Sequence, residues 1–233
     1  FGVAAEWSDF DTIRVKPQPY QQRAYTIESD WSAASYWYEI LALTDDTQSK
    51  VALQGLKDGS RQGDSTVRYI FSLLGIKTSF KEKDVNGMPE ALLTRHSRML
   101  NRMDYDFTNQ PDLAQTLIAV CPVLGIPFHF TGLGTLKIKE TDRIEAMKRE
   151  MEKLGYILHE EEGTALSWTG ERCEPMTQPT IDTYEDHRMA MSFAPLAIKL
   201  GEIRINNPEV VSKSYPHYWA DLRKAGFKIQ QVD

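Results

Sequence analysis

A chain of 233 residues, 41% hydrophobic and 26% charged, fits an ordinary globular protein with one or two domains and a substantial core. Its net charge of −6 argues against non-specific nucleic-acid binding, which needs a basic face, but not against small anions that respond to a few local Lys and Arg residues. Apolar runs such as Met189 to Ile198 are too short to cross a bilayer, so no membrane partner is expected.

Taken in chain order, one arrangement is written three times. A short strand leads to an acidic turn, then an apolar helix, a second strand, an amphipathic helix, and a Gly followed by a strand. The period, about 70 to 80 residues, is too long for a common solenoid and suits a supersecondary unit of several elements. In the first unit Asp30 forms the acidic turn, and Ala33 to Leu43 predicts a helix apolar on nearly every face. Trp31, Tyr36, Trp37 and Tyr38 read as the aromatic face of that buried helix, because base stacking would need interleaved basic residues. The unit closes at Leu74-Gly75-Ile76, and Lys77 to Thr94 is hairpin-like.

The second unit turns at Asp112, buries Leu113 to Leu124, and continues into an amphipathic helix from Asp142 to Leu154. There Ile144, Met147, Met151 and Leu154 recur at helical spacing, behind the cap-forming types Thr141 and Asp142. It closes at Leu154-Gly155-Tyr156, followed by a hairpin from Ile157 to Trp168 that turns at Glu162-Gly163. The third unit has its acidic turn at Asp186, an apolar run through Met189, Met191, Phe193 and Leu196, and a close at Ala225-Gly226-Phe227. Two unmatched cysteines, Cys121 in an apolar run and Cys173 in a polar connection, point to a reducing, cytoplasmic setting. No targeting pattern is visible at the first residues.

Two charged segments carry the chemistry. Lys139-Glu140-Thr141-Asp142-Arg143 is a loop that turns into a helix, and Glu185-Asp186-His187-Arg188-Met189 repeats the design. Helix N-termini suit anions, and Arg suits planar carboxylates because its donors match two oxygens at once. Spacing alone favours an Arg paired with its own neighbour, Asp142 or Asp186, on a solvated helix. It equally leaves Lys213 as a surface lysine, and Asp112 as an ordinary helix-start acid like Asp30.

These two segments, with Ser29 to Tyr36, Asn109-Gln110-Pro111-Asp112-Leu113 and Ser212-Lys213-Ser214-Tyr215-Pro216 in the same order, resemble the EPSP synthase family. The resemblance implies an α/β fold, a lobe of three βαβαββ repeats around buried parallel helices. It covers the family's second half, with 1–24 as the last strands of a missing N-terminal lobe and 25–233 as the C-terminal lobe. The implied reaction transfers the enolpyruvyl group of phosphoenolpyruvate to the 5-hydroxyl of shikimate 3-phosphate, without a cofactor. Arg143 and Arg188 would then meet phosphoenolpyruvate, Lys213 its phosphate, and Lys139 shikimate 3-phosphate. Asp112 would contact the shikimate hydroxyls and Glu140 would transfer protons. His187 would line the site, and Thr135, where many relatives have Asn, would be a weak substrate contact.

His96, His129, His159 and His217 lack metal-ligand spacing, so no metal site is expected. The expected partners are the two substrates and the N-terminal lobe, in a full-length monomer, with the isolated fragment inactive. The alternatives are the related UDP-N-acetylglucosamine enolpyruvyl transferase and a non-catalytic binding domain of the same fold.

Overall fold

The structure, a computed structural model, describes residues 1–81, 87–98 and 100–231. The chain opens on an exposed antiparallel ribbon, β1 (Ala5–Trp7) and β2 (Ile13–Val15). The first unit follows as α1 (Trp31–Leu43), β3 (Lys50–Gln54), α2 (Val67–Leu73), β4 (Ile76–Lys81) and β5 (Glu90–Arg95). The second comprises β6 (Met103–Asp106), α3 (Ala114–Val123), β7 (Phe128–Thr131), α4 (Arg143–Lys153), β8 (His159–Glu161) and β9 (Ala165–Trp168). The third comprises β10 (Thr180–Ile181), α5 (His187–Phe193), α6 (Ala197–Leu200), β11 (Arg204–Ile205) and α7 (Tyr218–Lys224).

Each unit keeps its own small sheet. The orders are β3-β5-β4, β6-β7-β9-β8 and β10-β11. β6 pairs with β7, and β10 with β11, in parallel; the pairings of β3 with β5, β4 with β5, β7 with β9 and β8 with β9 are antiparallel. The short strand expected before Asp30 does not form. Tyr25 and Ile27 stay exposed, Glu28 is drawn to the Trp31 indole and the Ser60 hydroxyl, and only the Ser29 N–H reaches Gly55 O, at 3.0 Å. The first hairpin is β4 with β5, Lys81 opposite Glu90, and its turn lies outside the described residues. The second is β8 with β9, where Glu162 and Gly163 take φ of 51° and 69°, the sense that matches strand twist.

The core is built around α1, α3 and α5, which are buried along most of their length. Their N-terminal halves meet. Ser35 Oγ lies 3.1 Å from Thr116 Oγ1, and Gln115 Nε2 donates to Met189 Sδ at 3.2 Å. The three helices therefore bring their starts to a common face. Deeper on α1, Glu39 is fully buried and neither carboxylate oxygen has a hydrogen-bond partner, so burial pushes its pKa well up.

α4 lies outside this bundle with Ile144, Met147 and Met151 inward and Lys148 and Arg149 paired with acids on its outer face. It ends where Gly155, at φ 88°, lets the Tyr156 N–H reach back to Met151 O at 3.0 Å. α7 ends the same way at Gly226, with Phe227 N–H on Leu222 O at 3.0 Å.

Candidate active site

Asp142 caps α4 by accepting the Glu145 N–H at 3.1 Å, which makes Arg143 the first residue of the helix. Its side chain turns inward and is only 2% exposed. Nε donates to Asp186 Oδ2 at 2.6 Å, Nη2 to Glu140 Oε2 at 2.7 Å, and Nη1 to Asp112 Oδ1 at 3.2 Å. Asp186 is fully buried and also caps α5, accepting the Arg188 N–H at 2.9 Å.

The neighbour pairing that spacing favours is therefore not formed. Arg143 takes Asp186 rather than Asp142, and the Arg188 guanidinium passes over Asp186 to Asp112 Oδ2, at 3.0 Å. The buried Arg143–Asp186 pair is valuable chiefly against its own disruption, since losing one partner strands the other charge at a cost of about 3–5 kcal/mol.

Asp112 departs from its counterparts in the other repeats. Asp30 and Asp186 cap their helices, whereas Asp112 sits within the 3-10 turn Pro111–Leu113 and leaves the capping position of α3 to Leu113. Its carboxylate is free for Arg143, Arg188 and, at 3.7 Å, Lys139 Nζ. Asp30 is thus spent on its cap, whereas Asp112, also a first-turn acid, turns its carboxylate to three cations.

Lys213 ends a 3-10 helix, Pro208–Lys213, that sequence periodicity does not reveal, and Pro216 lies one residue before the α7 cap, His217. Its ammonium crosses to Glu140 Oε1 at 2.6 Å. Glu140 is thereby held between two cations. Partial burial works against its charge, but Lys213, a backbone N–H and Arg143 outweigh that and hold its pKa at about 2.

His187 is nearly buried beside this cluster; burial and the Arg188 charge lower its pKa, which favours the neutral imidazole. Asp112, Lys139, Glu140, Arg143, His187, Arg188 and Lys213 thus converge on one mouth. Thr135 does not join them through any hydrogen bond: it is exposed on the 3-10 helix Gly134–Ile138.

Two further groups border the mouth. Tyr36, buried on α1, lies with its hydroxyl 3.5 Å from Arg188 Nη1, and burial pushes that hydroxyl up to about 12. Asp64 accepts from the Ser32 hydroxyl, and its burial, with nearby Asp112, outweighs that hydrogen bond and the Arg188 charge to raise its pKa. Tyr36 stood inside the Ser29 to Tyr36 stretch but reads there as core. Asp64 had only its place shortly before the second helix of its unit, in the 3-10 turn Gly63–Thr66.

The site therefore gathers four cations, each already held by a carboxylate, at the shared start of helices from different repeats. An incoming anion would have to take a cation from a carboxylate. Lys213, 57% exposed, and Lys139, 36% exposed, are the most accessible for that exchange.

Comparison with known proteins agrees with this architecture. The family model for EPSP synthase (3-phosphoshikimate 1-carboxyvinyltransferase) matches residues 1–222. A 3-phosphoshikimate 1-carboxyvinyltransferase of Bacteroides fragilis is 54% identical over 230 residues, covering 99% of this chain and 54% of the relative. One from Methanosphaerula palustris is 30% identical over 226 residues, covering 97% of this chain and 50% of the relative. A solved EPSP synthase from Acinetobacter baumannii shares the fold at a TM-score of 0.69 and 19% identity, over 100% of this chain and 53% of that one. The chain spans about half the length of the curated relatives it matches. By the family match across nearly all its residues and the 54% identity, this chain belongs to the EPSP synthase family.

Proposed function

We propose that this chain supplies one side of an active site that transfers the enolpyruvyl group of phosphoenolpyruvate to the 5-hydroxyl of shikimate 3-phosphate. In this reading residues 1–24 belong to a preceding lobe, 25–233 form the second lobe, and the other lobe supplies the remaining anion donors. The observation that carries the proposal is the clasp of Glu140 between Lys213 and Arg143, with Asp112 held by Arg143 and Arg188.

Both substrates carry a carboxylate and a phosphate. Phosphoenolpyruvate would draw Lys213 and the guanidinium groups toward itself, while Lys139 would meet shikimate 3-phosphate. Glu140, losing its cations, would rise toward the usual carboxylate range and become able to carry a proton. The reaction needs that change. The attacking hydroxyl loses a proton as its oxygen bonds C2 of phosphoenolpyruvate, and the methylene carbon gains one. The tetrahedral intermediate then expels phosphate while its new methyl group gives a proton back. Asp112, with Arg143 and Arg188 fixing its oxygens, would orient the hydroxyls of the acceptor.

The test is phosphate release by the full-length protein given both substrates. Release that requires shikimate 3-phosphate supports the proposal. Release that instead requires UDP-N-acetylglucosamine would assign the related transferase reaction, and no release with either acceptor would favour a binding domain.

A further inference from the structure

Asp186 and Arg188 reach the site through a turn that has to be held in place. Tyr184 and Glu185, consecutive and neither of them glycine, take φ of 51° and 58°, and the Asp186 N–H closes the turn on Thr183 O at 2.8 Å. Side chains adopt this left-handed region reluctantly, so two in succession persist only where surrounding contacts compel them.

Those contacts come from α4. Glu150, fully buried, accepts the Tyr184 hydroxyl on Oε1 at 2.6 Å and the Asp182 N–H on Oε2 at 3.1 Å. Lys153 neutralises it at 2.7 Å and continues to Asp182 Oδ2 at 2.8 Å and Thr180 O at 3.0 Å. Seven residues, two helical turns, separate Glu150 from Arg143, so both project from one face of the helix. Arg143 grips Asp186 just after the strained pair, and Glu150 grips Tyr184 within it and Asp182 before it.

We infer that Glu150 and Tyr184 are positioning residues, which hold the strained turn so that Asp186 aligns Arg143 and Arg188 with the incoming carboxylate. The inference rests on the functional reading above for the identity of that carboxylate. The hydrogen bonds themselves do not depend on it.

The experiment uses the full-length protein with Tyr184→Phe, Glu150→Gln and the double variant Tyr184→Phe/Glu185→Gly. Tyr184→Phe keeps the ring and removes one charge-assisted hydrogen bond, which is expected to raise the KM for phosphoenolpyruvate about tenfold or more, leaving that for shikimate 3-phosphate nearly unchanged. Glycine takes a positive φ freely, so Glu185→Gly should restore much of the loss. Amide hydrogen exchange across residues 182–189, read without substrate, should speed up in Tyr184→Phe and slow again in the double variant. Unchanged exchange in Tyr184→Phe, or equal rises in both KM values, overturns the inference. A wild-type protein without the proposed activity would sink the functional reading alone, and exchange would then decide whether the lock exists. Should Glu150→Gln not fold, Tyr184→Phe carries the same test.

Discussion

Glu140 enters any reaction at this site as a carboxylate, because Lys213 and Arg143 hold its pKa at about 2 despite partial burial. The sign of the pH dependence follows. A carboxyl whose pKa is lowered stays ionised until the pH falls well below the usual glutamate range of about 4.3. The acid limb of kcat/KM, which reports the free enzyme, should therefore lack a group titrating near ordinary glutamate values if Glu140 is the essential base. The corresponding limb of kcat should move up in pH once bound anions have taken its cations. In the full-length protein Glu140→Gln should lower turnover by about 10²–10⁴ while shikimate 3-phosphate still binds; near-normal turnover would move proton transfer to another group. Arg188→Lys should mainly raise the phosphoenolpyruvate requirement, since a point charge replaces a two-pronged donor beside Asp112. Steady-state kinetics with each substrate varied in turn would separate the two effects.

The elements are stabilised most visibly at the ends of α4. Removing its cap with Asp142→Ala should cost about 1 kcal/mol in denaturant unfolding, and would also loosen the seat of Arg143. Gly155→Ala should cost more than that cap: φ is 88° there and an added Cβ would stand 3.0 Å from Cys173 O. Both ends of this helix were legible in sequence, as were the apolar positions Ile144, Met147 and Met151, because cap chemistry and periodicity are local. The 3-10 helix Pro208–Lys213 was not, since so short a segment develops no period. The exchange of partners between Arg143 and Arg188 was not legible either. It joins Arg143 to Asp186, 43 residues away, and spacing speaks only for near neighbours. Tyr36 failed to stand out for a related reason, as its apolar ring belongs to the core while only its hydroxyl meets Arg188.

At the scale of the whole molecule, the exposed ammonium groups of Lys213 and Lys139 leave the mouth in high dielectric, where each charge interaction is weak. The isolated 233-residue chain should therefore release no detectable phosphate from phosphoenolpyruvate and shikimate 3-phosphate, and activity should appear when the rest of the full-length protein is supplied. Full turnover by the chain alone would refute the shared-site argument. The partnerless carboxyl of Glu39 bears on the fold in another way. Burial pushes its pKa in the folded protein well above 4.5, so between the unfolded and the folded pKa the folded chain retains a proton there that the unfolded chain gives up. Stability from this group is complete below the unfolded pKa and declines as the pH rises above it. Glu39→Gln should flatten that decline, read as the melting temperature against pH. At a pH between those two values folding draws a proton from solution into the middle of α1, and a calorimeter would register it as an unfolding heat that changes with the ionisation enthalpy of the buffer.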